Sequence, residues 1–258
     1  MKLIRPFAML LGAAALVGCD KNAVQISSIT APASGASVKF FHFGLNAPQV
    51  NFYANNAKAT AISSTTGAES TVGTAYGAVA AGNLYTALAP GQTTFQARIS
   101  ATVDNNVPVA SVASTIESGK SYSVYLSGFY NTTAKTVEGF VVEDPIPAAY
   151  DYTQALVRFV NASPNASAMQ LTARNPTTST DVVIGGSIAY KAAGAFVGVP
   201  SGSYDLTTRA AGSTTALITR TAVSFLAGRV YTITARGDMT VTGTTAVNRP
   251  ILDNSLNR

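Results

Sequence analysis

Behind its first nineteen residues the chain is written in short runs of alternating apolar and polar positions. Tyr122, Val124 and Leu126 alternate with Ser121, Ser123 and Tyr125, and Tyr231, Ile233 and Ala235 alternate with Thr232 and Thr234. Phe95, Ala97, Ile99 and Ala101 follow the same period, as do Tyr204 and Leu206. A period of two turns one face of a strand to a core and the other to solvent. Pro90-Gly91, Ser118-Gly119, Ser201-Gly202 and Ala227-Gly228 punctuate these runs as turns. No sustained stripe of helical period interrupts them. Short strands at intervals of about 8–12 residues predict an antiparallel β-sandwich.

The pattern occurs twice. Val38-Lys39-Phe40-Phe41 corresponds to Val157-Arg158-Phe159-Val160, and Asn46-Ala47 to Asn165-Ala166. Leu88-Ala89-Pro90-Gly91 corresponds to Val199-Pro200-Ser201-Gly202, and Gly119-Lys120-Ser121-Tyr122 to Gly228-Arg229-Val230-Tyr231. Four landmarks in the same order, spaced by a domain length, predict two tandem sandwiches rather than a solenoid. The prolines at 145 and 147 break strand pairing and mark the boundary. The expected organisation is a signal at 1–18, a tether at 19–36, sandwiches at 37–147 and 155–258 with a linker at 148–154, and each repeat an independent domain. In both opening strands the alternation turns Phe40 and Phe159 inward. Lys39 and Arg158 are therefore expected in solvent.

The front end carries an address. Lys2 and Arg5 precede a short apolar run, Phe7 to Val17, which ends in Leu16-Val17-Gly18-Cys19. Positive charge, an apolar core and small residues before the cut are the parts of a secretory signal. The run is shorter than the roughly 20 residues a membrane span takes. Its end resembles a bacterial lipobox, which implies cleavage before Cys19 and a diacylglycerol on its thiol. Cys19 is the only cysteine in the chain, and each lipid CH₂ buried in the bilayer contributes about 0.8 kcal/mol to anchoring. The expected location is the bacterial cell envelope, as a lipoprotein facing the periplasm or the cell surface. Asp20, next to it, resembles the inner-membrane retention signal of enterobacteria.

Without Lys2 and Arg5, fifteen basic residues stand against twelve acidic ones, a formal charge of +3, and they are scattered. That speaks against a nucleic-acid partner. His42 is the only histidine, so a His-based triad or multi-His metal site cannot form within one chain. It is expected to satisfy a turn, where the second repeat has Asn161. Nothing selects a carboxylate pair such as Glu69 and Glu117 for glycosidase chemistry. Glu143-Asp144, the adjacent acidic pair, reads as solvated linker, with Ca²⁺ ligation as the alternative. No cofactor motif is present. Aromatic residues concentrate at Tyr122, Tyr125, Phe129 and Tyr130. Core packing explains them, while Tyr125 and Tyr130 are the candidate ligand contacts.

Val157-Arg158-Phe159-Val160-Asn161-Ala162-Ser163-Pro164-Asn165-Ala166 resembles the opening motif of the bacterial family known as domain of unknown function 4397, of the type V-R-x-V-N-A-S-P-D-A-P. Pro200-Ser201-Gly202-Ser203-Tyr204 resembles its later Pro-x-Gly-x-Tyr turn. The first repeat is more diverged. It keeps Asn46-Ala47-Pro48-Gln49-Val50-Asn51-Phe52-Tyr53-Ala54-Asn55, similar to D-A-P-x-V-D-V-Y-V-N-G, but has His42-Phe43-Gly44-Leu45 in place of Asn161-Ala162-Ser163-Pro164. As two copies, the resemblance covers nearly all of the mature chain. It implies immunoglobulin-like β-sandwiches, secreted or surface-attached, and no enzyme activity. The family's Asp is Asn46 and Asn165 here, which can still close an Asx turn but weakens any cation-binding role. The resulting expectation is an all-β, non-catalytic lipoprotein of the envelope, a structural, adhesion or binding module. Its expected partners are the membrane, through the lipid, and an envelope protein or polysaccharide. The alternative is a carbohydrate-binding accessory protein.

Overall fold

The computed structural model describes residues 35–60 and 72–258. The first eight strands are β1 (Ala36–Leu45), β2 (Val50–Ala54), β3 (Ala57–Lys58), β4 (Thr86–Leu88), β5 (Gly91–Ile99), β6 (Pro108–Ile116), β7 (Ser121–Asn131) and β8 (Thr136–Glu143). The second eight are β9 (Gln154–Asn161), β10 (Met169–Arg174), β11 (Asp181–Ile188), β12 (Val197–Pro200), β13 (Gly202–Ala210), β14 (Ile218–Phe225), β15 (Val230–Arg236) and β16 (Ile251–Leu256). They form four four-stranded sheets. The first set gives β4-β1-β7-β8 and β3-β2-β5-β6, and the second repeats both orders as β12-β9-β15-β16 and β11-β10-β13-β14. The chain is thus all-β, in two sandwiches of one topology. One pair in each half departs from the antiparallel expectation, since β1 runs parallel to β7 and β9 to β15.

The register repeats residue by residue. Phe40 lies opposite Val124, and Phe159 opposite Ile233. Both phenylalanines are buried, as their alternation predicts. Phe40 stacks on Phe52 at 5.1 Å and meets Phe95 edge-on at 5.9 Å. Phe159 sits among Leu171, Leu206 and Ile233. Burying one such side chain stabilises a domain by about 1.5–3 kcal/mol. Tyr122 and Tyr231 close the same corner in each half, their hydroxyls accepting from the backbone N–H of Glu117 and Leu226 at 3.1 and 3.3 Å.

The two kinds of sheet differ in burial. In β5 and β13, buried and half-buried positions alternate, as one covered face requires. β1, β9 and β15 are buried at nearly every position, which happens only when both faces of a sheet are covered. One face of each central sheet lies in its own sandwich core. The other meets the second central sheet, where Phe41, Phe43, Tyr125 and Phe140 pack against Val160 and Ala162. Gly35–Arg258 is accordingly one compact unit, a stack of four sheets. This corrects the expected exposure of Lys39 and Arg158: both are 0% exposed. The face read as solvated is sealed by the other sandwich.

Candidate functional site

The layer between the central sheets holds a concentration of buried polar groups. Its contacts come in pairs that exchange the two halves. Tyr122 faces Glu143 across β7 and β8, and Tyr231 faces Leu256 across β15 and β16, so Glu143 and Leu256 are equivalent positions. Lys39 Nζ donates to the Leu256 carbonyl at 2.6 Å, and Arg158 Nη1 donates to the Glu143 carbonyl at 2.8 Å. Each cation also lies over an aromatic ring, Lys39 over Tyr85 at 4.5 Å and Arg158 over Phe196 at 5.0 Å. One residue further on, Asp144 accepts from Ser123 Oγ at 2.8 Å, while Asn257 accepts from Thr232 Oγ1, also at 2.8 Å. Tyr125 and Thr234, themselves equivalent by register, meet at 3.5 Å. A surface on which each residue meets the counterpart of its partner is isologous, the arrangement of a two-fold dimer. Here one chain supplies both sides.

The symmetry is broken in charge. Arg158 forms an ion pair with Asp144, both fully buried, and Arg158 Nε donates to Thr232 Oγ1 at 3.0 Å. Lys39 has Asn257, not a carboxylate, at the matching end. Burial therefore pulls the Lys39 ammonium down to about 8, with Asp144 opposing and Arg158 reinforcing the shift. Burial also raises the Tyr125 phenol to about 12. Tyr85 ties the two ends together, donating to Asp144 Oδ2 at 2.6 Å and accepting from Asn257 Nδ2 at 2.7 Å. Such a network holds two sheets in one register, because each buried group left unpaired would cost about 1–3 kcal/mol.

The residues singled out from sequence fall in different places. Cys19 and Glu69 lie outside the described residues. Tyr125 is in the interior, stacked between Phe41 at 4.4 Å and Phe140 at 4.8 Å, so it is not a ligand contact. Tyr130 is half-buried against the first core, and Phe129 is exposed. The strand therefore presents no row of exposed rings. Asp144 is 2% exposed, which corrects the reading of Glu143-Asp144 as solvated linker. Its carboxylate is committed to Arg158, Ser123 and Tyr85 rather than to a cation. Among the described residues, no group of three His, Cys, Asp or Glu side chains could hold a metal ion. Glu117 is occupied at the surface by Lys120, at 3.0 Å.

His42 satisfies a turn, as expected. Its Nε2 donates to the Pro48 carbonyl at 2.8 Å, and Asn161 Nδ2 donates to the equivalent Ser167 carbonyl at 3.4 Å. Burial holds the imidazole below its usual range, and Nδ1 has no partner among the described residues. Sequence reasoning missed the polar layer itself. The signal was present in Phe41 and Phe43, apolar residues on the face assigned to solvent. Apolar positions on both faces of a strand mark a sheet covered twice.

A family model described as Domain of unknown function (DUF4397) matches residues 36–172, that is, the first sandwich, β9 and the first part of β10. No curated protein matches the chain. Among solved structures, the Bacillus anthracis TIE protein aligns over 79% of this chain at 13% identity and a TM-score of 0.25. The chain spans about a third of that protein's length, 34%. A Bacteroides fragilis protein provisionally described as a cell adhesion protein aligns over 86% of this chain and 98% of its own, at 10% identity and a TM-score of 0.24. Likeness at this level carries no argument about function.

Proposed function

Starting from a chain that belongs to the DUF4397 family, we propose that it is a non-catalytic module of the bacterial cell envelope. It holds two copies of the family's immunoglobulin-like sandwich as one body and presents their loops to a partner. The observation that carries this reading is the sealed polar layer. This set of charged and hydroxyl groups among the described residues joins sheet to sheet, and its members are fully or largely buried, so they serve rigidity rather than turnover. A rigid stack suits presentation, because binding loops that are already fixed lose little freedom on docking. The signal and Cys19 support a lipid anchor as the means of attachment. Among the described residues no helix is long and apolar enough to cross a membrane.

The test combines location and capture. Wild-type chain and Cys19→Ala are expressed in a bacterial host, fractionated by detergent-phase partitioning, and cross-linked in the intact envelope. The wild type should partition with detergent and cross-link to an envelope component, and Cys19→Ala should do neither. A Cys19→Ala chain that is still processed and membrane-bound would overturn the anchor. A wild-type chain that cross-links to nothing would overturn the binding role.

A further inference from the structure

The two halves differ in the hairpin between their last two strands. β7 and β8 are joined by residues 132–135, whereas β15 and β16 are joined by residues 237–250. The short turn closes on Asn131, whose side-chain oxygen accepts from the N–H groups of Thr133 and Ala134. The long loop is pinned. Ser163 Oγ donates to the Gly237 carbonyl at 2.6 Å, and Asp238 N–H to the Asn248 carbonyl at 2.8 Å. Asn165 holds it twice, accepting from Met239 N–H at 3.0 Å and donating to Asp238 Oδ1 at 2.8 Å.

The loop stands beside β14, the edge strand of its outer sheet. Between them runs an open groove of about 450 Å³, with Ile218, Met239, Val241 and Pro250 as its apolar wall. At Thr219, Arg249 and Pro250 it continues into a second groove of about 400 Å³, which adds Arg220. Neither arginine has a carboxylate partner among the described residues. Arg220 donates to the Leu252 carbonyl at 2.7 Å and Arg249 to the Ala246 carbonyl at 3.0 Å. The acidic residue of the groove, Asp253, is already paired with Arg236. A guanidinium carries five donors in a fixed fork that matches a carboxylate. Two of them, next to apolar residues and an edge strand, suit an extended chain with acidic and apolar side chains in turn. No aromatic side chain lines either groove to stack on a sugar ring.

We propose that the groove between the 237–250 loop and β14 binds an extended acidic peptide segment of a partner protein, its carboxylates held by Arg220 and Arg249. The proposal rests on the binding-module reading and names its partner class. The test titrates the isotope-labelled full chain by NMR with a synthetic octapeptide alternating glutamate and leucine. The same peptide with lysine for glutamate and a trigalacturonate serve as comparisons. The acidic peptide should shift Thr219, Val241, Thr242 and Arg249. The double variant Arg220→Glu and Arg249→Glu should weaken it about tenfold or more, the scale of one lost charge-assisted hydrogen bond, while its amide spectrum away from the groove stays that of the folded wild type. No shifts, shifts elsewhere, equal binding by the variant, or tighter binding of trigalacturonate would each overturn it. Failure of Cys19 anchoring would overturn the location and leave this result standing.

Discussion

The two ends of the buried layer solve one problem with different chemistry. In the second sandwich Arg158 reaches across to the Glu143 carbonyl and the buried Asp144 carboxylate, and is held from its own sheet by the Thr232 hydroxyl. In the first, Lys39 reaches across to a carbonyl and lies over the Tyr85 ring of its own half, with no carboxylate at the matching position. The difference shows that an isologous surface built by one chain need not remain symmetric. Each side can change alone, so charge can be balanced at one end and shed as a proton at the other.

The largest effects should fall where the halves agree. Phe40→Ala and Phe159→Ala should each cost about 3–5 kcal/mol in urea unfolding. A marked inequality would mean the cores are not equivalent. Arg158→Ala should also cost about 3–5 kcal/mol, because it leaves Asp144 charged and buried without its partner. Lys39→Ala should cost less, about 1–3 kcal/mol, since it strands a carbonyl rather than a carboxylate. Equal losses for the two would erase the proposed asymmetry. A surface control, Lys120→Ala, should change stability by less than about 0.5 kcal/mol.

Smaller effects separate the halves by pH. The Lys39 ammonium lies at about 8 in the folded chain against 10.5 ordinarily, so between those values the unfolded chain binds more protons. Stability should rise with pH across that window, and this contribution is lost as pH falls through 8. Lys39→Met should flatten the slope in unfolding midpoints measured from pH 7 to 11. His42 is also held below its ordinary 6.5, so stability should fall as pH drops below that value. His42→Asn, copying Asn161, should remove the acid-side loss, and an unchanged slope would show that another group sets it.

Much of each sandwich was legible in the chain. Phe40 and Phe159 were placed in their cores, and the Gly119 and Gly228 turns before β7 and β15 are indeed turns with positive φ. The parallel pairing of β1 with β7 was not legible, because alternation says which face a residue takes and nothing about which strand lies beside it. The binding groove was equally hidden. Arg220 and Arg249 are twenty-nine positions apart in the chain and share a wall only because β14 and the 237–250 loop are brought together.

What the sequence determined by itself was local: period-two strands, turns at fixed glycines, the repeated pattern of both, and the one face of each opening strand that carries Phe40 or Phe159 into its core. These depend on steric and hydrophobic preferences that act over a few residues. The tertiary structure alone decided that Lys39, Arg158, Asp144 and Tyr125 belong to a sealed interior. A charged residue on a strand reads as solvated until something covers it, and the cover here comes from the other half of the chain, 217 positions away for Lys39 and Leu256 and 14 for Arg158 and Asp144. Lys39 and Arg158 remain buried because carbonyls and one carboxylate of the opposite half, with a hydroxyl of Arg158's own sheet, stand in for the water they lost.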